Sequence, residues 1–305
     1  MPLPLPSILP IGTAVVALVD VAGHVKGTAG KVVRSPVDSD HRYGVCFPGG
    51  DEVNLLRRQF QVLAQYQADE STHATAEYDW SQHVIYRCVV GSRAYGLDRD
   101  ASDTDRRGIY LPPARLHWSI EEVPEQLEND ADQSCYWELK KYLRMALKAN
   151  PNVLETLWSP MVEYADEIAQ ELLHIRTCFL SKLVFQTFNG YAMSQFRKIE
   201  QDVRNHGQVK WKHAMHLIRL LHSGIHVLRH GQLQVYVGDH RAPLLAVRDG
   251  AMPWGEVDQW RKSLHAEFEQ AFVSTQLPDR PDDRRANQLL LRARRTMADR
   301  EKEHQ

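Results

Sequence analysis

Gly91-Ser92-Arg93-Ala94-Tyr95-Gly96, followed by Ser102-Asp103-Thr104-Asp105, is the stretch of this sequence that points most directly to a fold and a chemistry. The run before it, 84–90, is β-branched and apolar, which predicts a buried strand. Gly91 then predicts a turn, and Ser92 predicts the start of a helix whose free backbone N–H groups suit a phosphate. The stretch therefore predicts a strand, a phosphate-binding turn and a helix.

Asp103 and Asp105 precede a second predicted strand that contains Gly-Ile-Tyr-Leu at 108–111. Alternate side chains of a strand share one face, so both carboxylates are expected to point to the same side. Two carboxylates aimed at one point repel each other unless a cation lies between them. Their oxygen atoms favour Mg²⁺ or Mn²⁺, with water and substrate phosphates as the remaining ligands. The stretch thus predicts a site for a metal-bound nucleoside triphosphate (NTP).

Three other motifs do not fit the same residues. A P-loop needs Lys and then Ser or Thr after its second glycine, whereas Leu97 and Asp98 follow Gly96. A dinucleotide fingerprint needs a third glycine that this stretch lacks. An EF-hand loop that begins at Asp98 would need glycine at Asp103 and glutamate at Ile109.

The order Gly-Ser, short spacer, Asp-x-Asp resembles the signature of the DNA polymerase β-type nucleotidyltransferase superfamily. The sequence around these motifs is similar to that of the branch of predicted nucleotidyltransferases associated with RNA repair. That branch also carries segments like those at 138–143, 149–155 and 157–160, with weaker similarity at 212–219 and 277–282. The resemblance extends from about Tyr78 almost to the C-terminus. It implies a mixed sheet with helices, and transfer of a nucleotide from an NTP to an acceptor with release of pyrophosphate.

The resemblance also implies roles for individual residues. Gly91, Ser92 and Arg93 would contact the triphosphate. Asp103 and Asp105 would be catalytic and would hold two Mg²⁺ ions. A third carboxylate on a neighbouring strand would complete the site and accept the proton of the attacking hydroxyl.

The third carboxylate is Asp132 or Glu138. Residues 132–138, Asp-Gln-Ser-Cys-Tyr-Trp-Glu, alternate as a strand does and place both acids on one face. Glu138 also begins the apolar stripe of a helix predicted over 138–148. Asp132 is preferred as the third catalytic metal ligand because of its strand position, and Glu138 stays open.

The first 68 residues predict a small β-barrel in a chain of α+β class. Short β-favouring stretches alternate there with clusters of Gly, Pro, Asp and Ser. The sequence at 30–33 and 43–50 resembles that of SH3-like or KOW-like modules. Its candidate contact residues are Arg34, His41, Arg42 and Tyr43.

Two further domains are predicted after a polar linker at 67–78. The catalytic domain would span 79–160, and a mainly helical domain would span 161–305. Helical periodicity predicts helices at 165–181, 183–206, 210–230, 254–275 and 283–302.

The helix predicted at 210–230 carries a basic group of interest. Lys212, His216 and Arg219 lie at i, i+4 and i+7 of that helix. The resemblance places this block beside the nucleotide, where Lys212 and Arg219 would contact its phosphates.

A run of histidines continues along the same helix. His222, His226 and His230 recur every four residues and so share one face. That spacing suits a metal, but no H-E-x-x-H motif accompanies it, so packing or surface histidines are favoured.

Bulk composition excludes several classes of protein. A net charge of −2 over 305 residues gives no bulk attraction to nucleic acid or to anionic membranes. The first ten residues contain four prolines and no basic residue, unlike a secretory signal, and 11–22 is too short to span a bilayer. Four scattered cysteines fit buried thiols in a reducing cytosol. We therefore expect a cytoplasmic protein with no membrane partner.

These observations predict a Mg²⁺-dependent nucleotidyltransferase that acts on an RNA or tRNA end. One alternative is nucleotidyl transfer to a protein or a small molecule. Another is a non-catalytic protein that binds a nucleotide or RNA. The sequence leaves the preferred NTP and the oligomeric state open.

Overall fold

The computed structural model describes residues 8–36, 42–66, 78–100, 102–120, 123–129 and 132–303. The chain divides into two compact units, Met1–Tyr78 with Ser119–Glu122 and Asp79–Trp118 with Val123–Gln305. Two sheets and many helices make the fold α+β, as the sequence predicts. Within the described ranges, every helix is too short or too polar to cross a bilayer.

The first unit is built on an antiparallel sheet in the order β4-β3-β2-β1-β5. Its strands are β1 (Ala14–Ala17), β2 (Ala29–Arg34), β3 (Tyr43–Cys46), β4 (Glu52–Leu55) and β5 (Phe60–Val62). Apolar residues from these strands, such as Val15, Val32 and Val45, form its buried core. No pairing joins β4 to β5 among the described residues. The closed barrel and the SH3-like or KOW-like identity predicted for 1–68 are therefore not confirmed.

The predicted contact residues of this unit differ in exposure. Tyr43 is fully buried and its hydroxyl accepts a hydrogen bond from Leu9 N at 3.1 Å, so it belongs to the core and the prediction is wrong for it. Arg34 and Arg42 are exposed, and Arg34 forms an ion pair with Glu52 at 3.1 Å. His41 lies outside the described residues, as does 67–77 of the predicted linker.

The second unit has a mixed sheet in the order β10-β6-β7-β9-β8. Its strands are β6 (Val84–Val90), β7 (Asp105–Tyr110), β8 (Gln126–Asn129), β9 (Ser134–Glu138) and β10 (Val162–Ala165). Strands β7 and β9 are parallel, and the other neighbours are antiparallel. The strand predicted at 84–90 is confirmed as β6. Because β10 pairs with β6, the domain boundary predicted at 160 falls inside this sheet.

Helices surround this sheet and fill the rest of the second unit. They are α1 (Gly91–Tyr95), α2 (Ala114–Trp118), α3 (Leu139–Leu147), α4 (Pro151–Leu157), α5 (Glu167–Ile175), α6 (Leu183–His206), α7 (Trp211–His230), α8 (Arg241–Arg248), α9 (Trp254–Ser274) and α10 (Asp283–Glu303). The predicted helices agree with α3, α6, α7, α9 and α10 to within a few residues. The helix predicted at 165–181 is shorter and continues as a 3₁₀ turn at Arg176–Phe179. Helix α7 is largely buried and packs against α6, α8 and α9.

Gly108, in the middle of β7, leaves no room for a side chain. An added Cβ would overlap the carbonyl oxygen of Tyr86 on β6 and would lie 2.8 Å from the ring of Tyr136. We therefore expect Gly108→Ala to lower the free energy of unfolding in urea by about 1–3 kcal/mol, the usual cost of overpacking.

Gly190→Ala is the matched control for this substitution. Gly190 lies inside α6, and nothing approaches its added Cβ within 4 Å. Alanine should raise the free energy of unfolding there by about 0.5–1 kcal/mol, since glycine loses more backbone freedom in a helix. Equal effects at the two positions would contradict the close packing of β6 on β7.

Candidate active site

The Gly-Ser turn follows β6 directly, as predicted. Gly91 has a φ of +71°, a left-handed conformation that glycine adopts at little cost. Half-buried Ser92 is the second residue of α1, and its carbonyl oxygen accepts a hydrogen bond from Leu97 N at 2.8 Å. Helix α1 ends at Tyr95. Gly96, which follows it, has a φ of +73° and donates its N–H to Arg93 O at 3.1 Å.

The structure brings Asp105 to this turn. Asp105, the first residue of β7, pairs with Val90, the last residue of β6. A Cβ built on Gly91 would lie 2.7 Å from Asp105 Oδ2. Any side chain at position 91 would therefore displace the carboxylate, and glycine leaves that space to the carboxylate.

Asp103 lies two residues before β7 and is exposed. Arg93 of α1 holds the loop that carries it, because its Nη2 donates to Ser102 O at 2.7 Å and its Nε donates to Asp103 O at 3.3 Å. Arg93 was a candidate for contact with the triphosphate. In the structure these two donor groups form hydrogen bonds to the loop, so Arg93 positions Asp103 relative to α1.

The strand position predicted for Asp132 is wrong. Strand β9 begins at Ser134, and exposed Asp132 lies in the turn before it. Gln133 between them has a left-handed φ of +54°. This is not a strand conformation, so the side chains of Asp132 and Ser134 do not follow the alternation of a strand. The Asp132 carboxylate accepts a hydrogen bond from Ser134 N at 3.1 Å, and hydrogen bonding to Ser134 lowers the pKa of Asp132 below its ordinary value. Asp132 therefore stabilises this turn.

Glu138 lies far from Asp105 along the sheet. It pairs with Tyr110 at the far end of β7, five residues from Asp105, which is roughly 16 Å at the usual rise of a strand. An odd separation also puts the two side chains on opposite faces of the sheet. Buried Glu138 caps α3 by accepting a hydrogen bond from Lys141 N at 2.9 Å.

Asp103 and Asp105 stay the predicted metal ligands of the site. Among the described residues, no group of three or more His, Cys, Asp or Glu side chains is placed to hold one. Mg²⁺ is commonly bound by one or two carboxylates, with water and substrate phosphates as further ligands. The Asp105 carboxylate, which lies against the backbone of Gly91, fits that arrangement.

A buried ion pair lies beneath α1. Arg219 of α7 is 5% exposed, and its Nη1 donates to Glu155 Oε1 of α4 at 2.7 Å. Tyr95 of α1 donates its hydroxyl to the other oxygen of Glu155 at 2.6 Å, and the Arg219 guanidinium lies 3.7 Å from the Tyr95 ring centroid. Arg219 Nη1 is thus engaged by a buried carboxylate and its guanidinium lies over an aromatic ring, and its predicted contact with the phosphates of the nucleotide stays a prediction.

His216 and Lys212 lie one and two turns, respectively, before Arg219 on α7. Lys212 is exposed, and its predicted phosphate contact stays a prediction. The His216 ring meets the Tyr95 ring edge-on, with centroids 6.0 Å apart. Burial, and then the positive charge of Arg219, lower the pKa of His216 to about 3, so its ring is neutral at physiological pH.

Sequence reasoning missed the residues that hold the C-terminal end of α1. Arg241 Nε donates to Gly96 O at 2.8 Å, and Arg248 Nη1 donates to Leu97 O at 2.6 Å. Val237 N donates to Tyr95 O at 3.1 Å. The sequence signal for a close neighbour at this end of α1 is the glycine at position 96. A Cβ there would overlap the ring of Tyr236.

Comparison with known families matches residues 58–292 to the RNA repair pathway DNA polymerase beta family, RlaP. The chain is also similar to uncharacterized protein YcgL of Bacillus subtilis (strain 168), with 37% identity over 105 residues, 33% of this chain and 40% of that protein. Uncharacterized protein MJ0002 of Methanocaldococcus jannaschii is 25% identical over 156 residues, 49% of this chain and 62% of that protein. The chain thus matches less than two thirds of the length of either relative.

The ion pair between Glu155 and Arg219 can be tested by a double-mutant cycle. Arg219→Met leaves the buried carboxylate without its cation and should lower the free energy of unfolding by about 3–5 kcal/mol. Glu155→Gln should also destabilise the protein, and the double substitution should recover about 1–3 kcal/mol of the summed losses. Urea unfolding of the four proteins measures this coupling.

Lys182→Met and Asp279→Asn form the matched control cycle. Their ion pair, at 2.7 Å, is largely exposed and should show a coupling of at most about 1 kcal/mol. A coupling between Glu155 and Arg219 as small as that of the exposed pair would contradict their role as a buried link.

Proposed function

This chain belongs to the RNA repair pathway DNA polymerase beta family, and on that premise we propose that it transfers a nucleotide from an NTP to an acceptor. The acceptor oxygen forms a bond to the α-phosphorus while the bond to the pyrophosphate oxygen breaks. We propose an RNA or tRNA end as the acceptor, in keeping with the repair pathway named for the family.

The approach of Asp105 to Gly91 is the observation that carries this proposal. It supports a single pocket for the carboxylates and the triphosphate, because a glycine lets phosphate oxygens come close to the backbone. Gly91 and Ser92 would lie along the triphosphate. Arg93 would keep the loop of Asp103 against α1 during the reaction.

Asp103 and Asp105 would hold Mg²⁺ (or Mn²⁺). The metal would supply neutralisation of the phosphate charge and activation of the attacking oxygen. Asp132 accepts a hydrogen bond from Ser134 N in the turn before β9, and Glu138 caps α3. The proton of a hydroxyl acceptor would therefore pass to water at the exposed side of Asp103.

A second candidate function is nucleotide or RNA binding without transfer. It is favoured by one observation, that the described residues bring no third metal-ligating side chain to Asp103 and Asp105. Transfer to a protein or a small molecule is the third candidate.

Labelling separates the three candidates. The full chain is incubated with Mg²⁺, each radiolabelled NTP in turn, and a pool of cellular RNA and protein. Label in RNA supports the proposal, label in protein or in small molecules supports the other acceptors, and no label with measurable NTP binding supports a binding protein.

Asp103→Asn and Asp105→Asn should each lower the rate of nucleotidyl transfer by about a thousandfold. That loss corresponds to about 4 kcal/mol of transition-state stabilisation, within the range expected for a metal ligand. Both variants should unfold in urea much as the parent does, because Asp103 is exposed and Asp105 is only half-buried. The rate of label transfer, measured at saturating Mg²⁺, checks the prediction.

Asp100→Asn is the control for these variants, since Asp100 is an exposed acid of the same loop. It should retain the parent rate. Full transfer by Asp105→Asn with Mg²⁺ would refute the assignment of the site.

A further inference from the structure

A cavity of about 240 Å³ lies along α7 in the second unit, beyond the ion pair. The side chains around it are rich in hydrogen-bond donors and include Arg219, His222, His226, His230, Gln234 and His240. None of the roles assigned to the candidate active site uses this cavity.

Two residues that line this cavity each carry a buried side-chain nitrogen atom without a hydrogen-bond partner among the described residues. These atoms are Arg219 Nε and His222 Nε2. A guanidinium N–H can only donate, so Arg219 Nε requires an acceptor atom. Leaving such a donor buried and unpaired costs about 1–3 kcal/mol, which favours a cavity that receives acceptor oxygens.

The charges around the cavity do not repel an anion. Glu155 is paired with Arg219, and Glu267, the carboxylate that lines the cavity, is paired with Arg229 at 2.5 Å. Burial, and then the neighbouring His240, lower the pKa of His222 to about 4, so its ring is neutral and carries one N–H donor.

The histidines of this helix do not form a metal site. The rings of His222 and His240 stack with centroids 4.0 Å apart, and those of His226 and His230 pack at 4.5 Å. Rings that pack against each other do not converge on one ion, and no metal-binding group is found among the described residues. The packing interpretation of the histidine run is therefore the one that fits.

From these contacts we propose that the cavity binds a phosphate group, with Arg219 Nε and His222 Nε2 as its buried donors. A phosphate presents several acceptor oxygens and a negative charge, which match a guanidinium and neutral imidazoles. Its source is inorganic phosphate or the terminal phosphate of a nucleic acid.

This site is separate from the pocket at Asp105. Tyr236 and Val237 line the cavity and contact the C-terminal end of α1, at Gly96 and Tyr95, whereas Asp105 lies at its N-terminal end. The proposal therefore stands or falls independently of nucleotidyl transfer.

Calorimetric titration of the full chain with inorganic phosphate tests the proposal. His222→Phe keeps an aromatic ring between His240 and Trp260 but removes both ring nitrogens, and it should weaken phosphate binding at least tenfold. His265→Phe, at a partly buried histidine of α9 that does not line the cavity, should bind phosphate like the parent. Asp105→Asn should also bind it like the parent.

Two outcomes would overturn the proposal. One is the absence of binding at millimolar phosphate. The other is binding that is weakened by Asp105→Asn and unchanged by His222→Phe, since phosphate would then occupy the active site.

Oligoribonucleotides distinguish the two sources of the phosphate. Tighter binding of a 5′- or 3′-phosphorylated oligoribonucleotide than of its hydroxyl-ended counterpart, lost in His222→Phe, identifies a nucleic-acid end. Equal binding of the two oligoribonucleotides, with inorganic phosphate still dependent on His222, identifies the free anion.

Discussion

The buried ion pair between Glu155 and Arg219 is the interaction on which the candidate site depends. It joins α4 to α7, and the hydroxyl of Tyr95 ties α1 to the same carboxylate. A charge left alone at either position would cost several kcal/mol, so the three side chains must be assembled together. Because Tyr95 ends the helix that Gly91 begins, this assembly fixes the Gly-Ser turn. Three of the segments that resemble the family, 91–105, 149–155 and 212–219, each contribute one of these residues.

Close packing against the glycines at both ends of α1 also fixes the position of this helix. At its start, Gly91 combines a left-handed φ with space for the Asp105 carboxylate. At its end, Gly96 combines a left-handed φ with contact to the ring of Tyr236. An alanine at either position would meet both a backbone penalty and a steric one. The short helix is thus held between the acid loop and the C-terminal helices, and the two glycines of the motif are required by packing as well as by chemistry.

The sequence predicts those features that depend on near neighbours. The apolar run at 84–90 forms β6, and the amphipathic stripe at 138–148 forms α3. Each pattern could be read from the sequence because it depends only on which residues of a single strand or helix are buried. Alternation alone misplaces Asp132, because the left-handed Gln133 delays the start of β9 by two residues. The partner of Arg219 lies 64 positions away in the chain, and spacing along a helix carries no information about it. The placement of Asp105 beside Gly91 follows from the pairing of two consecutive strands, which is why that part of the site could be predicted.

The dependence of nucleotide binding on Mg²⁺ tests most directly whether the Gly-Ser turn and the two aspartates share one pocket. The affinity of a non-hydrolysable NTP analogue is measured by calorimetry with and without Mg²⁺, in the parent protein and in Asp105→Asn. A shared pocket predicts that Mg²⁺ strengthens binding at least about tenfold in the parent and has no such effect in the variant. An equal gain from Mg²⁺ in both proteins would contradict it.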